Sequence, residues 1–285
     1  MPAWVARWTL PVSSLDTTRC VLLETELTTG DDGRPLGAKT ASRYRIVAKT
    51  FLADAVTVGH LASNPWPTKK RRRSATKVKH AVDVRTLPTP ADARAALDRV
   101  VTHQPGSRGI HVLLSLVYFA GLRPSEARGR YVEDLALPEQ GWGLARIHRA
   151  YTGIGKAWGD DHELEGDTKT GVNRDVPLHP HLVEVLREYI GDRVNGPVVR
   201  TTKGNPPSLS NMLRSWRRAR GSNPRWSTYD LRHAAATTWL AAGVPIGEVA
   251  RRLGHSPEVL LSTYAGVLLG DIETSNARIE QTLAT

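Results

Sequence analysis

Cysteine is all but missing: Cys20 is the single one in 285 residues, which excludes an intrachain disulfide and any cysteine-based zinc site. Long apolar runs are missing too. The most apolar stretch, Ile110 to Ala120, is too short to span a bilayer and contains His111, so it reads as a buried helix. No basic amphipathic helix lies beside an apolar anchor, and no membrane partner is expected. The opening Met-Pro-Ala-Trp-Val-Ala-Arg-Trp lacks the basic region and apolar core of a secretion signal, which makes a reducing, cytoplasmic setting the default expectation. Metal-ligand spacing is also wanting. Asp160, Asp161, Glu163, Glu165 and Asp167 cluster around His162 without a second ligand group at a recognised spacing, so they read as a solvated loop. His179 and His181 read as the start of a helix running through Ile190.

What the chain has in excess is positive charge. Lysine and arginine number 39 against 28 acidic residues, a net charge of +11 that points to a polyanionic partner, most simply nucleic acid. The length suits two domains, and 40% hydrophobic residues supply their cores. In the first part, a helix is expected around Leu15 to Leu27, followed by a Gly- and Asp-rich loop. Tyr44, Val47, Ala48, Phe51, Leu52, Ala55 and Val58 then predict an amphipathic helix from Thr40 to Leu61, ended before Asn64-Pro65. Arg43, Arg45 and Lys49 lie on its outer part.

Residues 68–86 read as an interdomain linker carrying Lys69, Lys70, Arg71, Arg72, Arg73 and Lys77. Such a run is either a solvated loop or a strap along phosphates. A second domain, 87–285, is expected to open at Thr89-Pro90-Ala91-Asp92, a cap, a proline and an acidic first turn ahead of Ala93, Ala96, Leu97, Val100 and Val101. A strand is predicted over Ala145 to Tyr151, another over Arg174 to Leu178, and a short one after Gly196. Next comes a helix with Leu209, Met212, Leu213 and Trp216 inward, leaving Arg214, Arg217, Arg218 and Arg220 as a phosphate-facing or simply solvated side.

Residues 227–267 predict three helices: one from Thr228 to a glycine stop at Gly243, one from Pro245 closed by Gly254, and one capped by Ser256 with Pro257 in its first turn. The first two also describe a helix-turn-helix DNA reader. Four signatures go further. They are Gly121-Leu122-Arg123-Pro124-Ser125-Glu126, the Lys169 segment Asp167-Thr168-Lys169-Thr170-Gly171, Tyr229-Asp230-Leu231-Arg232, and Leu253-Gly254-His255 followed by Tyr264. Together and in this order they resemble the tyrosine recombinase (phage integrase) family. A helix-turn-helix regulator accounts for neither Arg123 with Glu126 nor the Lys169 segment.

The resemblance implies a mainly α fold with a small antiparallel β-sheet, arranged as a two-domain DNA clamp. Residues 1–67 would be the helical core-binding domain and residues 87–285 the α+β catalytic domain with a tail helix. It implies site-specific DNA strand breakage and rejoining through a 3′-phosphotyrosyl intermediate, with no metal and no ATP. Tyr264 would be the nucleophile, Arg123, Arg232 and His255 the phosphate ligands, Lys169 the general acid on a β-hairpin, and Glu126 a supporting carboxylate. Tyr229 stands where the family usually has histidine. Double-stranded DNA and a homotetramer assembled on it are the implied partners, with room for accessory DNA-bending or directionality factors. A non-cleaving DNA-binding regulator on the same scaffold and a type IB topoisomerase-like DNA-relaxing activity are the alternatives.

Overall fold

A computed structural model describes residues 11–67, 82–103, 107–151, 165–167, 173–221, 226–268 and 272–283, which fall into two units, Met1–Thr76 and Lys77–Thr285. In the first, Asp16 accepts the Arg19 amide at 2.7 Å and starts α1 (Thr17–Leu27); α2 is Ala38–Thr57. Cys20 and Leu27 of α1 pack with Leu52 and Trp66, and Tyr44 and Ala48 flank them. After α2 the chain is fastened by Asn64, which donates to the Lys49 carbonyl at 3.1 Å and accepts the Trp66 amide at 2.9 Å.

The expected apolar face of α2 is only partly covered. Ala41, Leu52 and Ala55 are buried, whereas Val47, Phe51 and Val58 are exposed. One facing helix covers one stripe at three- and four-residue spacing, and Val47 and Phe51 lie about 100° further round. Arg43 and Lys49 are exposed on α2, as expected, whereas Arg45 is half-buried and paired with Glu24 of α1 at 2.7 Å. The expected linker residues Lys69, Lys70, Arg71, Arg72, Arg73 and Lys77 lie outside the described residues.

The second unit is built on α4 (Arg108–Phe119), buried continuously from Val112 to Tyr118. Against it pack α3 (Pro90–His103), the five-residue α5 (Pro124–Arg128), α6 (Pro180–Ile190), α7 (Leu209–Ala219) and α8 (Thr228–Ala241). Thr89 and Asp92 exchange hydrogen bonds at the start of α3, a capping box. Ala93, Ala96, Leu97 and Val100 face the core, but Val101 stays exposed, one position off the stripe. Leu209, in the first position of α7, is likewise exposed rather than inward; Arg214, Arg217 and Arg218 line the outer side of that helix, whereas Arg220, just past its end, donates to the Trp226 carbonyl at 2.7 Å.

An antiparallel sheet of order β1-β2-β5 covers one side: β1 is Leu135–Ala136, β2 Gly143–Ile147 and β5 Arg174–Leu178. Between them, β3 (Arg149–Tyr151) pairs with β4 (Glu165–Asp167) in a separate two-stranded ribbon. The single strand expected over Ala145 to Tyr151 is thus two. Burial falls on Ala145 and Ile147 in β2 but on Ala150 in β3, so the inward parity flips across His148 and one strand cannot serve both partners. The strand expected after Gly196 reduces to one antiparallel bridge, Tyr131 to Pro197, closed on either side by the Val132 amide on the Gly196 carbonyl at 2.9 Å and the Val198 amide on the Arg130 carbonyl at 2.8 Å. Lys169, Asp160, Asp161, His162 and Glu163 lie outside the described residues.

α8, α9 (Ile246–Leu253) and α10 (Pro257–Leu268) make a second core from Ala236, Val249, Ala250, Leu253, Leu260 and Tyr264. Ser227 and Asp230 form the capping box of α8. The last element is α11 (Ile272–Leu283). Among the described residues no helix is long and apolar enough to cross a membrane.

Candidate active site

Everything at the site converges on one carboxylate. Glu126 is 1% exposed and receives two bonds from Arg123, one from the backbone amide and one from the guanidinium, both at 2.8 Å. Arg174 grips it with both terminal nitrogens at 3.1 and 2.8 Å, and Arg232 stands 3.8 Å away. Burial by itself would raise the Glu126 carboxyl, but the hydrogen bonds from Arg174 and the charges of Arg174, Arg232 and Arg123 outweigh it and hold it at about 2. A planar guanidinium fork suits this task because it satisfies carboxylate oxygens in parallel and still offers further donors.

Those further donors tie the arginines to the turns on either side. Arg232 donates to the carbonyls of Gly121 and Leu253, both at 2.6 Å, and Arg123 to the carbonyl of Gly254 at 3.1 Å. Gly121 and Gly254 both adopt left-handed torsions, φ near +61°. A Cβ on Gly254 would come within 3.0 Å of the Arg174 guanidinium carbon. Gly254→Ala is therefore expected to lower the unfolding free energy by about 1–2 kcal/mol from backbone strain alone, with further loss as Arg174 is displaced. A urea titration of the two proteins reads the difference.

His255 follows Gly254 and is turned back onto Arg232, whose Nη2 lies 3.1 Å from its Nε2. Arginine can only donate, so Nε2 accepts and Nδ1 carries the proton. Nδ1 is buried and has no partner among the described residues. Burial first, then the charges of Arg232, Arg123, His233 and Arg174, press this imidazole down to about 4. It is a neutral hydrogen-bond donor at pH 7.

Tyr264 lies 1% exposed in the α8–α10 core, at a residue whose torsions (φ −116°, ψ 22°) interrupt the helix. Burial raises its phenol to about 12 against the opposing pull of Arg232. Its hydroxyl is 2.8 Å from His233 Nδ1.

Of the residues expected from sequence, the structure thus brings Arg123, Glu126, Arg232 and His255 into one cluster with Tyr264 beside it. Tyr229 is 49% exposed on the first turn of α8, and Lys169 is outside the described residues. Two further members, Arg174 and His233, carry no role expected from the sequence. Arg174 appeared in the sequence only as the start of a returning strand, and nothing local distinguishes it; its adjacency to Glu126 arises because Ile147↔Arg174 is the last rung of the β2–β5 ladder. His233 was visible as the neighbour of Arg232, but its partner is 31 positions away.

The sequence model of the phage integrase family matches residues 89–268. A tyrosine recombinase XerC-like protein of Caldanaerobacter subterraneus subsp. tengcongensis is 26% identical over 240 residues, 77% of this chain and 60% of that protein. The integrase of Mycobacterium phage L5 is 34% identical over 108 residues, 35% of this chain and 29% of that one. The chain therefore spans less than two thirds of the length of these curated relatives. Among solved structures, the Tn1549 transposon integrase in complex with transposon right end DNA aligns with a TM-score of 0.61 at 16% identity, covering 97% of this chain and 88% of that one. A lambda integrase dimer bound to a core site aligns at 0.56 and 16% identity, over 89% and 80%. At such identity these two speak for a shared fold, while the family match, which takes in more than half of the chain, establishes that it belongs to the phage integrase family.

Proposed function

We propose that the chain is a site-specific DNA recombinase that cuts and rejoins duplex DNA through a 3′-phosphotyrosyl intermediate. The observation that carries this reading is the pair Arg123 and Arg232, both held on Glu126, with Arg232 also donating to His255 and lying next to the buried phenol of Tyr264. In this reading Tyr264 attacks a backbone phosphorus, the bond to the 5′-oxygen breaks, and Lys169 supplies the proton that the departing oxygen takes up. Arg123 and Arg232 bear the charge that grows on the non-bridging oxygens, and the Nδ1 proton of His255 adds a third donor. Tyr229, exposed at the start of α8, offers its hydroxyl to DNA. The phosphotyrosyl bond keeps the energy of the broken phosphodiester, so resealing by a 5′-hydroxyl needs no ATP.

Residues 1–67 serve in this scheme as a DNA-binding domain, with Arg43 and Lys49 on phosphates, and residues 68–86 as a basic strap through Lys69, Lys70, Arg71, Arg72, Arg73 and Lys77. Arg214, Arg217 and Arg218 add a third phosphate-facing surface, and exchange between two duplexes assembles four protomers on DNA. Relatives named as tyrosine recombinases and integrases, and a shared fold with integrases solved on DNA, support the assignment.

The test is a denaturing gel of the protein with labelled duplex from beside its own gene, including nicked substrates that trap the intermediate, in EDTA. A covalent protein–DNA band that disappears in Tyr264→Phe is the expected result. Binding without any such band on all substrates would replace this reading with a non-cleaving DNA-binding role.

A further inference from the structure

The recombinase scheme leaves one proton without a destination. Forming the bond between Tyr264 Oη and phosphorus releases the phenolic proton, and the groups assigned to phosphate are poor acceptors for it. Arg123 and Arg232 are cations, and the neutral His255 has its lone pair, on Nε2, committed to Arg232. Tyr229 is a phenol and half-exposed. A phenol pushed up by burial cannot shed its proton to bulk water at neutral pH at any useful level.

Among the described residues, one basic atom touches that hydroxyl. His233 Nδ1 is 2.8 Å from Tyr264 Oη, and the two rings are 5.7 Å apart at an interplanar angle of 59°, which leaves the hydroxyl beside the ring edge rather than over its face. The imidazole belongs to α8, whose backbone is fixed around it: the Ser227–Asp230 capping box lies one turn before it, and the His233 carbonyl accepts the Thr237 hydroxyl at 2.8 Å. Because Tyr229 and His233 are four apart, they occupy one face of α8, with the imidazole a turn deeper toward α10.

We propose, resting on the recombinase reading, that His233 is the proton acceptor for the Tyr264 nucleophile. As the Oη–phosphorus bond forms and the bond from phosphorus to the 5′-oxygen breaks, the phenolic proton passes to His233 Nδ1, giving an imidazolium. The leaving oxygen takes its proton from Lys169. On rejoining, the 5′-hydroxyl attacks phosphorus and gives its proton back to Lys169, the bond from phosphorus to Tyr264 Oη breaks, and the imidazolium returns its proton to the departing phenolate. Burial and the charge of Arg232, opposed by Asp230, favour the neutral imidazole before reaction, the form in which Nδ1 can accept. This places the base on the residue after Arg232 rather than three before it.

Two measurements decide it. In the ¹⁵N-histidine-labelled full chain without DNA at pH 7, the His233 ring, assigned by its loss in His233→Gln, is expected as the Nε2–H tautomer, with an Nδ1 resonance that moves in Tyr264→Phe. An Nδ1–H tautomer would overturn the proposal, since that nitrogen could only donate. On the trapping duplex, His233→Ala is expected to slow covalent-complex formation about 10²–10⁴-fold with DNA affinity unchanged, and free imidazole to restore part of the rate. His233→Gln separates chemistry from packing, because its amide can hold the tyrosine hydroxyl but cannot carry the proton, and it is expected to be as slow as His233→Ala. A His233→Gln rate within about threefold of wild type would overturn the proposal alone. A wild-type protein forming no Tyr264-dependent complex would overturn the recombinase reading and this inference with it.

Discussion

Glu126→Gln is expected to be the most destabilising single substitution at the site, about 3–5 kcal/mol at pH 7. The carboxylate is 1% exposed and is the shared counter-charge of three guanidiniums, two of them, Arg174 and Arg232, nearly fully buried themselves. An amide fits the space, yet it leaves those cations without compensation and presents a donor where acceptors are needed. The pH dependence gives an independent reading. Holding the carboxyl at about 2 instead of its ordinary 4.5 corresponds to roughly 3 kcal/mol at neutral pH. Because the folded value is the lower one, that contribution is complete above about 4.5 and drains away as pH falls toward 2. Urea unfolding of both proteins should thus show the gap narrowing by roughly 1.4 kcal/mol between pH 7 and pH 3.5. A gap that does not change with pH would mean that Glu126 acts through shape rather than charge.

The parts of this arrangement that the sequence discloses are those whose cause is local. The α8–α9–α10 boundaries follow from Ser227 with Asp230, Gly243, Pro245, Gly254 and Ser256 with Pro257, each a capping or turn requirement satisfied within a few residues. Arg123 with Glu126 is similarly local, an i,i+3 pair across the first turn of α5. What escapes is set by strand pairing and by packing between distant segments. Arg174 reaches Glu126 from 48 positions away through the β2–β5 register, and a run of alternating residues from Ala145 to Tyr151 does not announce that its inward parity changes at His148. The exposed side of α2 escapes for another reason: periodicity counts apolar residues on a face but not how many helices are present to cover it. His233 is intermediate. Its position beside Arg232 is plain in the sequence, but whether the next residue on a helix turns to the same site or away is decided by the 100° step and by where α10 lies.

Arg123→Ala is expected to separate catalysis from folding at the same carboxylate. The Arg123 side chain is 12% exposed, the most accessible of the three cations on Glu126. Removing it leaves Glu126 with the bidentate grip of Arg174, with Arg232, and with the residue-123 amide, so the fold loses the bond to the Gly254 carbonyl and one of several to the carboxylate. That amounts to about 1–2 kcal/mol, well short of Glu126→Gln. Under the proposed recombinase mechanism, cleavage on a trapping duplex should nevertheless fall about 10²–10³-fold, the cost of deleting one preorganised donor from a charge-developing centre. Arg123→Lys is expected to recover little of this, since one ammonium cannot hold Glu126, the Gly254 carbonyl and a phosphate oxygen together. The same substitution carries an internal control. Arg123 is among the charges that press His255 down to about 4, so its loss should raise the His255 titration midpoint measured by NMR in the DNA-free protein. A rise in that midpoint with cleavage unchanged would place Arg123 in the electrostatic frame around the site and leave the phosphate to Arg232 and His255, whereas both effects together would make it a direct ligand whose charge the whole cluster feels.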